Sequence, residues 1–136
     1  MTLTFVDAGV LIAAARGTDW VALRANQALG DPRRSFAASP FLRLEVLPKA
    51  VFHKRLDEVS FYDVFFAAVE RWAEPDSALS EWAQSLASRF GLSALDALHV
   101  AAALSVGADE LLTTEKPQKP IHRVTEIHVR SLHPMG

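Results

Sequence analysis

The chain contains no cysteine. That absence excludes a disulfide framework, a thiolate zinc site and a cysteine nucleophile, and it fits a reducing compartment such as the cytoplasm. An excess of positive charge is also missing. The formal net charge is −2, where a general polyanion binder is normally basic overall. A local basic rim remains available from Arg16, Arg33, Arg34, Lys49, Lys54, Arg55, Lys116, Lys119 and Arg123. No apolar run approaches the ~20 residues that span a bilayer, so no membrane association is expected. The N-terminus has no basic segment and Asp7 cuts its apolar run, which argues against a signal peptide. Internal repeats and low-complexity stretches are absent, and proline and glycine fall singly as punctuation.

What is present suits one domain over residues 1–136. Half of the residues are apolar and 22% are charged, enough for a core that needs no disulfide or metal staple. Residues 3–6 read as a short apolar strand ended by Asp7. Residues 10–15 turn helical before Gly17, and a second helix runs from the N-cap residue Asp19 to Leu29, stopped by Gly30. Residues 31–34 form a turn and 35–38 a candidate second strand. Ser39-Pro40 starts a helix with a hydroxyl at the cap and proline at the first position. Pro48, which cannot donate to the Leu44 carbonyl, is expected to kink or interrupt that helix close to Glu45.

Residues 58–73 place Tyr62, Phe65, Val69 and Trp72 on one face of a helix, and the aromatics of 58–90 read first as core. Residues 77–90 are fully amphipathic, with Leu79, Trp82, Ala83, Leu86, Ala87 and Phe90 at helical offsets before Gly91. An alanine-rich helix over 93–106 follows, then a strand over 110–114. Alternation at Ile127, Val129 and Leu132 marks an edge strand near the C-terminus. Strands separated by a dozen or more residues of helix pair in parallel. The expected class is therefore α/β, a small and mostly parallel sheet with helices on both faces. Ligands in such sheets sit beyond the carboxyl ends of the strands. Asp7 and Glu115 both lie there.

Four acids stand at element boundaries or beside a break: Asp7, Glu45, Asp96 and Glu115. Each also has a local explanation. Asp7 suits an N-cap, Glu45 an i,i+4 pair with Lys49, Asp96 a capping box with Ser93, and Glu115 a polar turn. Brought together, they would repel by about 4 kcal/mol per pair at a separation of about 4 Å. Such a cluster persists by raising its pKa values or by holding a hard cation, and oxygen donors are what Mg²⁺ or Mn²⁺ prefers.

The segments that carry these acids resemble the motifs of the PIN-domain nucleases. Phe5-Val6-Asp7-Ala8-Gly9-Val10-Leu11 is similar to the opening strand and first acid, and Leu42-Arg43-Leu44-Glu45-Val46-Leu47 to the second motif. Ser93-Ala94-Leu95-Asp96-Ala97-Leu98-His99 resembles the third, an acid on an alanine-rich helix. Leu111-Leu112-Thr113-Thr114-Glu115 resembles the fourth. The resemblance covers nearly the whole chain. It implies a PIN-like three-layer fold and the metal-dependent endoribonuclease activity of the toxin half of bacterial VapBC toxin–antitoxin pairs. It further implies Asp7 and Asp96 as direct ligands of Mg²⁺ or Mn²⁺, with Glu45 and Glu115 as further ligands or acting through water. The ion would activate a water and stabilise phosphoryl charge. RNA is the implied substrate, an antitoxin a possible partner, and Thr113 or Thr114 a hydrogen-bond donor to a carboxylate or phosphate.

Two departures stand out. The family often carries Ser or Thr one or two places after its first acid, where this chain has Ala8 and Gly9. Its fourth acid is usually Asp, where this chain has the longer Glu115. Both favour a rival from another class, a PIN-fold binding or scaffold protein without catalysis. His99, one turn beyond Asp96, either faces the site or packs as a satisfied core histidine, and packing is the favoured reading. A haloacid-dehalogenase-type phosphatase needs a second aspartate two residues after the first, and position 9 is glycine. A receiver-type phosphoacceptor needs an acidic pair near the N-terminus, and Asp7 is solitary. The abundance of large apolar residues over 61–90 leads to the expectation of a homodimer with Tyr62, Phe65, Phe66 and Trp72 at its interface.

Overall fold

The computed structural model describes residues 1–133; the last three residues of the expected 1–136 domain lie outside the described residues. The order is β1 (Thr2–Val6), α1 (Ala8–Arg16), α2 (Trp20–Leu29), β2 (Arg34–Ala38), α3 (Pro40–Phe52), α4 (Leu56–Ala67), β3 (Arg71–Trp72), α5 (Ser77–Phe90), α6 (Ala94–Ser105), β4 (Glu110–Thr113), a 3-10 turn (Pro120–Arg123) and β5 (His128–Ser131). The five strands form one sheet in the order β3-β2-β1-β4-β5, and every pairing is parallel. The chain steps outward from β1 through β2 to β3, then crosses back over both to reach β4. Right-handed crossovers put α1 to α4 on one face and α5 with α6 on the other. The packing agrees: α1 meets α2, α3 and α4, while α5 lies along α6.

The central strands are buried on both faces, so they read as nearly continuous apolar runs. Phe5, Val6, Leu111 and Leu112 have no exposed surface, and Val10, Leu11, Leu42, Leu86 and Val100 close the two layers over them. Caps set the helix ends. Asp7, Asp19, Ser39, Asp76 and Ser93 each accept from a backbone amide three residues on, and Gly91 ends α5 in the left-handed conformation at φ 68°.

Three expectations change. The helix expected over 58–73 stops at Ala67, and Arg71–Trp72 is a strand. The aromatic spacing continues the helical period, but β2 would otherwise present a bare edge. The amides of Glu70 and Ala73 donate to the carbonyls of Phe36 and Ala38 at 2.9 Å each, and that backbone demand outweighs local periodicity. Pro48 does not interrupt α3, which runs on to Phe52; the carbonyl it leaves unmatched belongs to Leu44, on an exposed turn where water can serve it. Finally, Tyr62, Phe65 and Phe66 are buried within the chain. Trp72 is half-buried, with the Arg43 guanidinium 4.5 Å over its ring. Tyr62 and Phe66 therefore offer no surface to a second copy, whereas Phe65 keeps an edge on a groove beside α4. Among the apolar side chains left outside, Phe52, Leu56 and Val64 stand on α3, α4 and the corner between them.

Candidate active site

The first acid is placed by β1. Asp7 follows the last strand residue, its amide donates to the Leu112 carbonyl at 3.1 Å, and its Oδ1 caps α1 by accepting from Val10 N at 3.2 Å. It is 7% exposed. Burial pushes its carboxyl up to about 6, against the Thr113 hydroxyl, the Val10 amide and the positive side of His99, while the Asp96 charge adds to the rise.

Asp96 stands in the first turn of α6, where its amide donates to Ser93 Oγ at 3.3 Å. Its carboxyl is also raised, first by burial, then by the charges of Glu115 and Glu45, with His99 and Ser93 opposing. Asp96 is thus the acid linked to the other three, since Glu115 and Glu45 raise it and it raises Asp7.

Glu115 lies two residues past β4. Its amide donates to Thr113 Oγ1 at 3.0 Å, and its carbonyl accepts from Ser131 Oγ at 2.7 Å and lies 3.0 Å from His122 Nε2. Strand β5 and the 3-10 turn therefore pin the backbone of the fourth acid. Thr113 is fully buried and links two acids, donating to the Asp7 carboxylate and accepting from the Glu115 amide. Thr114 does something different. A Cβ built at Gly9 would collide with its Oγ1 and come within 3.4 Å of Asp7 Oδ1. The hydroxyl of Thr114 thus fills the space beside Asp7 that a side chain at position 9 would occupy.

Glu45 comes from mid-α3, with its side chain 31% exposed, and its Oε1 is 2.7 Å from His99 Nε2. His99 was read as packing. It is indeed buried, at 2% exposure, with its ring 6.0 Å from that of Phe5, yet it bonds one acid of the cluster and acts on two others. The signal for it in the sequence was a lone imidazole on an otherwise apolar stretch of helix, one turn after Asp96. Two of the basic residues considered for a rim sit elsewhere: Arg34 pairs with Glu110 at 2.8 Å, at the start of β4, and Arg33 pairs with Asp31 at 3.1 Å.

The fit to a divalent ion is one of chemistry rather than of a finished cage. The donors are all carboxylate oxygens, and burial, with neighbouring acids adding to it, raises Asp7 and Asp96. Among the described residues no three acid or histidine side chains form a ready-made metal site. Mg²⁺ keeps several waters and is held by one or two carboxylates, so an open arrangement of this kind suits it.

A PIN domain family model matches residues 4–121. The chain belongs to the PIN domain family. No curated protein sequence matches it. Among solved structures, this PIN domain is similar to VapBC2 from Rickettsia felis, bound there to a DNA fragment from its promoter. Identity is 15% and the TM-score 0.72, over 96% of this chain and 98% of the other. DNA-bound VapBC from Salmonella typhimurium gives 16% and 0.67, over 97% and 99%, and FitAcB from Neisseria gonorrhoeae gives 21% and 0.60, over 95% and 97%. At these identities the likeness is one of fold.

Proposed function

We propose that this PIN domain is a metal-dependent endoribonuclease, the toxin component of a toxin–antitoxin pair, acting as a single 1–136 domain in the cytoplasm. The observation that carries the reading is the electrostatic linkage through Asp96, which Glu45 and Glu115 raise and which itself raises Asp7. Elements far apart in the chain bring acids to the carboxyl side of a parallel sheet, where ligands of this fold class bind. Asp7 and Asp96 would hold Mg²⁺ or Mn²⁺, with Glu45 and Glu115 binding directly or through water. A bound ion would supply Lewis-acid stabilisation of phosphoryl charge and a more acidic water. Thr113 keeps Asp7 oriented and holds the amide of Glu115. Burial of Asp7 keeps bulk water off its oxygens.

Single-stranded RNA is the proposed substrate, the form whose unpaired bases can be splayed out and read. An antitoxin is the proposed protein partner, supported by the VapBC likeness in fold. A homodimer is also proposed, now through exposed apolar residues of α3 and α4. No helix among the described residues is long and apolar enough to cross a membrane.

The second reading, a PIN-fold binding protein without catalysis, is favoured by the lack of a ready-made metal site among the described residues. One experiment separates the two. The wild-type chain should melt higher in millimolar Mn²⁺ and cleave single-stranded RNA, since a ligand at 100 times its dissociation constant adds about 2.7 kcal/mol. Asp96→Asn should lose both effects while remaining folded by circular dichroism. No thermal response and no cleavage by the wild type would establish the binding-only reading. Undiminished cleavage by Asp96→Asn would remove the site assignment.

A further inference from the structure

Helix α6 is apolar around its buried side, and His99 is the polar exception. An imidazole placed among Phe5, Val100 and the alanines of α6 costs free energy unless its nitrogens are bonded. Only one of them is. Nε2 lies 2.7 Å from Glu45 Oε1, whereas Nδ1 is buried without a partner. A residue kept for packing alone does not explain this arrangement, since leucine or methionine would fill the volume with no stranded nitrogen. The bond to Glu45 does explain it. A carboxylate oxygen accepts, so Nε2 carries the hydrogen and donates to it.

We propose that His99 is a positioning residue that anchors one carboxylate oxygen of Glu45 and leaves the other for a divalent cation at the acid cluster. The inference rests on the metal-site reading above. Asp7 is fastened by the α1 cap and by Thr113, Asp96 by Ser93, and the backbone of Glu115 by β5. Glu45 has no such tie within its own helix. It projects from the middle of that helix with nearly a third of its side chain in solvent. Free of His99, its flexible side chain would spread over several rotamers, and ordering it would oppose binding. Hydrogen-bonded partners of metal-binding side chains supply this kind of order, and their loss weakens metal binding by roughly 10- to 100-fold.

The test is Mn²⁺ binding to the full chain by calorimetry, in wild type, His99→Leu, His99→Gln, Glu45→Ala and the double variant His99→Leu/Glu45→Ala. We expect His99→Leu to weaken Mn²⁺ binding by roughly 10-fold or more, and His99→Gln, which restores an amide donor, to recover most of it. In the Glu45→Ala background His99→Leu should have no further effect, because the bond it breaks is already gone. Equal loss in both backgrounds would make His99 a structural residue and overturn the proposal.

A second measurement needs neither the metal nor the stability of the leucine variant. In the metal-free wild type, imidazole ¹⁵N–¹H spectra should show the Nε2-protonated tautomer of His99, with a resonance that moves in Glu45→Ala. An Nδ1-protonated tautomer, or no response to Glu45→Ala, would also overturn it. A wild type that binds no Mn²⁺ would overturn the metal reading and this role with it. An Nε2–H resonance that still responds to Glu45→Ala would then place the fault in the metal reading, not in the His99–Glu45 contact.

Discussion

At the scale of single residues, Asp7 shows most directly what a site of this kind costs the fold. Its carboxyl is raised from 3.8 to about 6, with burial the leading cause, so it ionises more readily unfolded than folded. The favourable contribution is complete below 3.8 and is lost as pH rises through about 6. At neutral pH the charge therefore destabilises the metal-free protein, by a cost on the order of 2–3 kcal/mol. Asn can replace Asp as a helix cap without that charge. Asp7→Asn should thus melt higher than wild type at neutral pH without metal, and the gain should vanish at acidic pH. Thermal melts across pH check this; an equal effect at all pH values would refute the electrostatic origin. All four acids were visible as candidates in the sequence. The part played by His99 was not, because its partner Glu45 is far away in the chain and only the meeting of α3 with α6 reveals it.

At the scale of elements, the two ends of the sheet use charge in opposite ways. At the carboxyl ends the acids lack a cationic side chain from Arg or Lys in any contact described above. At the other end, buried Glu110 on β4 accepts from Thr4 Oγ1 of β1 at 2.6 Å and Arg34 Nε of β2 at 2.8 Å, and from Arg130 of β5 at 3.3 Å. One side chain thus ties four strands. Burial pushes its carboxyl up, but the Arg34 and Thr4 bonds and the two guanidinium charges outweigh that and hold it lowered. The contribution is present above the ordinary glutamate value and lost as pH falls through the lowered one. Glu110→Gln should cost about 2 kcal/mol by leaving the half-buried Arg34 short of a partner. It should shift the urea midpoint with little change in slope. A shift in midpoint of negligible size would mean that Asp31 alone satisfies Arg34. The strand β3 belongs to this scale too. Its two residues continue a helical pattern in the sequence, and only the unpaired edge of β2 converts them to sheet.

At the scale of the whole molecule, the surface left apolar bears on assembly. Val64 is exposed and, with Leu29, Phe36, Phe61 and Phe65, lines a groove of about 470 Å³ on the α4 side. Phe52 and Leu56 stand exposed at the α3–α4 corner. Light scattering at micromolar concentration should give the mass of a dimer, and Val64→Glu or Phe52→Glu should shift it toward the monomer with little loss of thermal stability. A wild-type monomer would remove the dimer.

The sequence by itself determined the elements whose causes are local: the caps, the glycine stops, the apolar strands and the α/β class, because propensity, capping and periodicity act within a few residues. It also marked the four acids, since a charge at the end of an apolar strand or in the first turn of an alanine-rich helix stands out without neighbours. Tertiary structure alone decided where α4 ends and that His99 binds Glu45. Those outcomes depend on hydrogen-bonding groups and surfaces supplied by elements dozens of residues away, and no local pattern carries that information.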